Sequence, residues 1–268
     1  MNDSLSERYL SAKRRLFERC YSYLNKPQRE AVFTANGALL VLAGAGSGKT
    51  TVLVRRIVYL IRYGNAYFST FVPPTITEER VAELEAAEKL PVEEIEPILS
   101  EFISAPCAPW NMLAITFTNK AANEIKSRLA TTLEDPEVAK SVWAGTFHSV
   151  CMRILRVWGG SLGYRENFTV YDTSDTKATL SAAMKELDFE EKTLPVKGVM
   201  NEIGRAKDQL ISAEQYEKEY GIQDFRHRRI AAVYKKYQEK LMAANALDFD
   251  DIIMQTVKLL EENQEARE

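Results

Sequence analysis

The sequence predicts an α/β fold with a parallel sheet, organised around a glycine-rich turn between a strand and a helix. Three observations carry this. The run Ala38-Leu39-Leu40-Val41-Leu42 is short, continuous and apolar, as in a strand buried on both faces. A glycine-rich turn follows it and opens an apolar-periodic stretch from Lys49 to about Tyr63, ending at Gly64. Further strand-then-helix pairs come later: Met112–Phe117 before Asn119–Leu129, and Val142–Gly145 before His148–Trp158.

The remaining elements are placed around that core. Residues 4–24 read as an amphipathic helix with Ser4 and Glu7 at capping-box spacing and Leu5, Tyr9, Leu16 and Cys20 near helical period. Residues 65–109 differ in kind. They hold six of the nine prolines, none of the glycines, and nine Glu against Arg80 and Lys89. An acidic helix capped by Thr75 and Glu78 and ending near Leu90, with a second after Pro91, makes a helical hairpin set outside the main body. It serves as a dock for a protein partner or as a tolerated insertion. From about 160 to 245 the pattern is mostly helical, with an extended piece at Phe168–Tyr171. In Ala246-Leu247-Asp248-Phe249-Asp250-Asp251 the carboxylates fit a helix start, with Asp248 as N-cap and Asp251 at N3, better than a metal site.

Composition narrows the function classes. Hydrophobic residues make up 46% of 268, enough for a sizeable core. No apolar run is long enough to span a bilayer, and the first residues lack a secretory signal, so a membrane role is not expected and a cytoplasmic one is. Cys20, Cys107 and Cys151 have neither metal-ligand nor disulfide spacing, as suits a reducing compartment. The net charge of −3 is unevenly spread: residues 1–64 carry eleven Lys/Arg against four Asp/Glu. A basic body with an acidic insert suits a phosphate-bearing partner.

The strongest motif is Ala43-Gly44-Ala45-Gly46-Ser47-Gly48-Lys49-Thr50. Small residues let backbone N–H groups curl round phosphate oxygens, and the following helix N-terminus adds partial positive charge. Lys49 would reach the β- and γ-phosphates and the Thr50 hydroxyl would ligate Mg²⁺. By itself the loop says only nucleoside triphosphate.

With alanine first, this segment resembles motif I of superfamily-1 helicases. Three other segments resemble motifs of the UvrD/PcrA/Rep-type DNA helicases, in that family's order. Leu24-Asn25-Lys26-Pro27-Gln28-Arg29-Glu30-Ala31-Val32 resembles the Q motif, Ile115-Thr116-Phe117-Thr118-Asn119-Lys120-Ala121-Ala122 motif Ia, and Gly145-Thr146-Phe147-His148-Ser149 motif Ib. The resemblance covers about residues 24–64 and 110–268. It implies that Gln28 reads the adenine edge of ATP, which an amide suits because it both donates and accepts. It implies that Phe117 stacks on a base of single-stranded DNA, although a core aromatic is the commoner fate of such a residue. It assigns Thr118, Asn119, Thr146, His148 and Ser149 to the DNA backbone. His148 has no metal-ligand partner at suitable spacing, and His227 reads as a solvated helix residue.

The fold so implied is an incomplete RecA-like P-loop NTPase domain, residues 1–160 and 246–268, with a mostly helical subdomain, residues 161–245, inserted into it. The function implied is the ATP-binding N-terminal part of an ATP-dependent 3′-to-5′ helicase or translocase, acting on single-stranded DNA and single-strand/duplex junctions. A helicase subunit of a helicase–nuclease of the AddA type, or a nucleotide- and DNA-binding module without turnover, are the alternatives. There are departures from the family pattern. Thr51 stands where close relatives usually carry an arginine that sandwiches the adenine, the 65–109 segment is long, and the family's DExQ motif does not occur before Glu268. This chain by itself is therefore expected to be catalytically incomplete.

Overall fold

The computed structural model describes residues 3–268. It is mixed α/β and mostly helical, and divides into two compact units that meet in sequence at Gly145 and Thr146.

The first unit contains α1 (Asp3–Cys20), α2 (Lys26–Phe33), α3 (Lys49–Arg62), α4 (Glu78–Ala87), α5 (Val92–Leu99), β1 (Leu113–Thr116), α6 (Asn119–Leu133), α7 (Pro136–Ser141) and β2 (Trp143–Thr146). Its axis is α3, which is apolar on two sides. Val52, Tyr59 and Tyr63 face one core, with Leu16 and Phe17 of α1 and Val32 and Phe33 of α2. Val54, Ile57 and Val58 face another, with Ala114 of β1, Ile125 and Leu129 of α6 and Ala144 of β2. The first core is aromatic: Phe17 lies edge-on to Tyr63 at 5.3 Å and Tyr67 stacks on Phe33 at 4.4 Å. The Tyr59 hydroxyl accepts the Tyr67 N–H at 2.9 Å, so this wholly buried side chain is not left with an unmet polar atom.

The acidic segment is helical, as expected, but it is not an outlying hairpin. Val81, Leu84, Ala87, Ile95, Leu99 and Phe102 belong to the same core as Tyr9, Ala12 and Leu16 of α1. Its entry and exit are tied together, with Asn65 N–H donating to Ser104 O at 2.7 Å and Ser104 N–H to Tyr63 O at 3.1 Å. Gly64 makes that closure possible: its φ is +62°, and a Cβ there would lie 2.2 Å from Ser104 O. The carboxylates meet arginines of the basic part, Arg8 pairing with Glu78 and Glu85, Arg15 with Glu88, and Arg62 with Glu96. The charge asymmetry of the sequence thus reflects a contact within one unit.

Other expectations are corrected in detail. α1 already begins at Asp3, so Ser4 and Glu7 lie inside the helix instead of forming its capping box. α4 is capped by Thr77, which accepts the Arg80 N–H, and not by Thr75. The largest departure is Ala38–Leu42, which is no strand. Leu40 is 81% and Leu42 86% exposed, and neither two-stranded sheet among the described residues, β1–β2 or β3–β4, takes this run as a partner. An extended apolar run becomes a strand only when a neighbouring strand supplies its ladder, and the described residues place none beside it.

The second unit contains α8 (Phe147–Trp158), β3 (Thr169–Val170), α9 (Thr173–Glu186), α10 (Val196–Asp208), α11 (Ala213–Glu219), α12 (Phe225–Ala243), β4 (Ala246–Leu247), α13 (Phe249–Glu262) and α14 (Gln264–Arg267). β3 and β4 pair in parallel, Thr169 opposite Ala246 and Val170 opposite Leu247. Asp248 caps α13 as expected, accepting the Asp251 N–H at 2.8 Å, while Asp251 accepts the Asp248 N–H in return. A buried cation lies beneath this cap. Lys207 of α10 is fully buried, with its Nζ 2.6 Å from Asp248 and 2.8 Å from Asp251. Tyr237 donates to Asp248 and Gln238 to Asp251. Burial pushes both carboxyls up. The Lys207 charge and hydrogen bond overcome this at Asp248, which ends below the usual range, whereas Asp251 stays above it. These contacts occupy Asp248 and Asp251 as cap and counter-ions. No helix among the described residues is long and apolar enough to cross a membrane.

Removing one member of a buried ion cluster leaves the others uncompensated, at about 3–5 kcal/mol. Lys207→Ala is expected to lower unfolding free energy by that order in urea titrations. The loss should be smaller at pH 5 than at pH 8, because an unpaired buried carboxyl is raised in the folded state and is relieved by protonation.

Candidate nucleotide and nucleic-acid sites

The loop at 43–48 leads directly into α3. Gly46 and Gly48 have φ of +75° and +83°, the left-handed region that only glycine enters freely, so the chain can turn tightly into the helix. Gly48 is the N-cap of α3 and contributes no side chain, and the first turn carries no acidic residue. The first-turn N–H groups, which lack intrahelical acceptors, therefore point at an uncapped, electropositive helix end. A depression of about 280 Å³ lies there, lined by Gly46, Ser47, Gly48, Lys49, Thr50, Thr51 and Arg128. Lys49 Nζ donates to Ala43 O at 3.0 Å and Gly44 O at 2.5 Å, and Ser47 Oγ donates to Gly44 O at 2.7 Å.

Gln28 is brought to the loop by α2. Its amide nitrogen donates to Ser47 O at 3.1 Å, and its amide oxygen accepts the Asn25 N–H at 3.1 Å. The Gln28 N–H donates to Asn25 Oδ1 in return, completing a capping box that fixes the start of α2. Gln28 is thus both a cap and a brace for the loop. An amide keeps one further N–H and one further lone pair, so both faces of its chemistry remain available to a base.

β1 and α6 set the next segment. Phe117 is 92% exposed, which removes the core reading of this aromatic. Thr118 is the N-cap of α6, its hydroxyl accepting the Ala121 N–H at 3.2 Å, and Asn119 opens the helix at the surface. Thr146 plays the same part for α8: it accepts the Ser149 N–H, and Ser149 Oγ donates to Thr146 O at 2.9 Å. Of the hydroxyls expected at a DNA backbone, those of Thr118 and Thr146 are therefore already the caps of two helix N-termini, and that of Ser149 is bonded to Thr146 O.

His148 stacks on Phe249 of α13, ring centroids 3.7 Å apart and planes at 21°. Burial pushes the imidazole below its ordinary value of 6.5, so at neutral pH it is uncharged and offers a single N–H. Sequence reasoning missed Phe249 as a partner, because the residue was absorbed into the helix-start reading of the acidic segment. It also missed Arg128, whose Nη1 donates to Thr51 Oγ1 at 3.3 Å. His227 is held by its own cap, with Nδ1 2.8 Å from Asp224. A separate cavity of about 660 Å³ lies in the second unit between α9, α10 and the start of α13.

With this geometry in place, the sequence profile of the UvrD/REP helicase N-terminal domain matches residues 24–95 and 95–268. The chain belongs to that family. Among curated relatives, ATP-dependent DNA helicase PcrA of Bacillus subtilis (strain 168) is 37% identical over 247 residues, covering 92% of this chain and 27% of the relative. PcrA of Staphylococcus epidermidis is 36% identical over 245 residues, 91% of this chain and 27% of the relative. PcrA of Staphylococcus aureus (strain Mu50 / ATCC 700699) is 35% identical over 247 residues, 92% of this chain and 28% of the relative. The chain thus spans about a quarter of the length of the curated relatives it matches. In the setting of a UvrD/REP helicase N-terminal domain, the uncapped α3 terminus, the Gln28 brace and exposed Phe117 fall on the segments that resemble motif I, the Q motif and motif Ia.

Because burial lowers His148 in the folded state, its contribution to stability is complete above the unfolded value near 6.5. It is lost as pH falls through the lower folded value. Acid titration of the melting temperature should show this loss, and His148→Asn should flatten that part of the profile.

Proposed function

We propose that this chain is the ATP-binding N-terminal part of an ATP-dependent DNA helicase that moves 3′ to 5′ on single-stranded DNA. The observation that carries the reading is the loop: two left-handed glycines, an uncapped helix N-terminus without acidic residues, and Lys49 at its mouth. This is an anion site by construction. The names of the curated relatives support ATP and DNA as its ligands.

In this reading Gly44, Ala45, Gly46, Ser47 and Gly48 wrap the phosphates with backbone N–H groups. Lys49 exchanges its bonds to Ala43 O and Gly44 O for phosphate oxygens. Mg²⁺ bound with the nucleotide would supply positive charge that neutralises the charge developing on the phosphates. The Thr50 hydroxyl at the start of α3 would be one protein ligand to it, an oxygen donor of the kind Mg²⁺ takes. Gln28 hydrogen-bonds the adenine edge with the donor and acceptor capacity the loop leaves unused, and Thr51 lies under the nucleoside.

Phe117, held out at the end of β1, stacks on a base. Thr118 and Asn119 at the α6 terminus, and Thr146, His148 and Ser149 at the α8 terminus, contact backbone phosphates through helix-end N–H groups and hydroxyls. The neutral His148 donates a hydrogen bond to the strand without adding charge. The chain would supply a RecA-like domain, residues 1–160 and 246–268, and the helical subdomain 161–245 inserted in it. The 65–109 segment acts as part of the scaffold of α1, because its apolar face and its carboxylates are both engaged there.

Lys49→Ala removes charge-assisted hydrogen bonds worth about 1.5–3 kcal/mol. Affinity for ATP, read by displacement of a fluorescent ATP analogue, should fall on the order of tenfold to a hundredfold. Unchanged affinity would remove the loop assignment.

Base–aromatic stacking is worth about 1–3 kcal/mol per base. Phe117→Ala should weaken binding of a labelled oligo-dT strand on the order of tenfold, measured by fluorescence anisotropy. Binding equal to the parent chain, with the helical content unchanged, would count against Phe117 as a stacking residue.

A further inference from the structure

We propose that Arg128 is a second cationic contact for the phosphates of the nucleotide held by the loop at 43–50, and that Glu124 restrains it. This rests on the reading of that loop as a nucleotide site. Lys49 and Arg128 are the two cations among the residues lining the depression at the start of α3, and no carboxylate is among them. Arg128 comes from a different element, α6, and from a segment that carries no nucleotide motif.

Its position is set by packing. Ile125 and Leu129 of α6 are buried against Val54, Ile57 and Val58 of α3. Arg128, beside Leu129, is thereby carried to the first turn of α3, where Nη1 donates to Thr51 Oγ1 at 3.3 Å. Nη2 pairs with Glu124, one turn earlier on α6, at 2.6 Å. Arg128 and Glu124 are each 45% exposed, so the guanidinium is tethered at the edge of the depression and still open to it.

A guanidinium has five N–H donors on a planar fork. One can stay on Thr51 while others turn to a phosphate oxygen, a geometry that suits arginine better than a flexible ammonium. Glu124 competes for the same donors: its carboxylate offers the guanidinium what a phosphate would. The pair therefore sets how much of the Arg128 charge is presented to the nucleotide.

The test uses the 268-residue chain, a fluorescent ATP analogue, and displacement by ATP and by inorganic tripolyphosphate. Lys49→Ala is measured first, because affinity unchanged in that variant defeats the loop reading itself and Arg128 with it. Where Lys49→Ala weakens binding, Arg128→Ala is expected to weaken ATP and tripolyphosphate alike, on the order of tenfold. Glu124→Gln is expected to tighten both, and that gain should vanish when Arg128→Ala is added. A role confined to tethering α6 to α3 predicts no gain in Glu124→Gln, so this variant remains decisive even if Arg128→Ala folds poorly. Affinity unchanged in Arg128→Ala, a loss seen with ATP but not tripolyphosphate, or a Glu124→Gln gain that survives without Arg128 would each overturn the proposal while leaving the loop reading intact.

Discussion

The first unit depends on α3 being buried on two sides. Tyr59 and Tyr63 lock it into the aromatic core with α1, α2 and the acidic segment, while Val54, Ile57 and Val58 lock it to β1, β2 and α6. A helix held on both flanks cannot shift without disturbing two cores, so its N-terminus is a fixed point. The loop ligands are defined relative to that point. Gln28 reaches the loop because α2 shares the first core, and Arg128 reaches it because α6 shares the second. Neither residue is near the loop in sequence.

The same economy of groups recurs at the other helix starts. Thr118 and Thr146 bond the backbone of their own helices, which holds the N-termini of α6 and α8 in a defined orientation. A hydroxyl in that role keeps its helix end sharp and its neighbouring N–H groups aligned, which is what binding a phosphate at such an end requires. Structural and ligand-binding roles thus coincide in these residues. In the second unit the organising contact is Lys207 with Asp248 and Asp251. It ties α10 to the cap of α13, and Phe249, the first residue of α13, is thereby set against His148.

The acidic segment shows how charge pattern can mislead about placement. Nine glutamates in 45 residues suggest a solvated appendage. Yet Leu84, Ile95, Leu99 and Phe102 lie on the opposite faces of the same helices and complete the core of α1. The carboxylates then fall opposite Arg8, Arg15 and Arg62, where solvent screens each exposed pair and the buried apolar face contributes more.

Local chemistry was legible in the sequence. The loop glycines, the α13 capping box at Asp248 and Asp251, the starts of α3 and α6, and the segments resembling helicase motifs all depend on residues within a few positions of one another. Short-range sterics and hydrogen bonding decide those. The Ala38–Leu42 run has the apolar character of a strand without being one, because pairing depends on its neighbours as well as on its own side chains. Only the tertiary structure decided that Tyr67 stacks on Phe33, that Lys207 is buried between two carboxylates, that His148 lies on Phe249, and that Arg128 stands at Thr51. Each joins positions far apart in the chain, and no periodicity or spacing carries that information, since it exists only once the helices have packed.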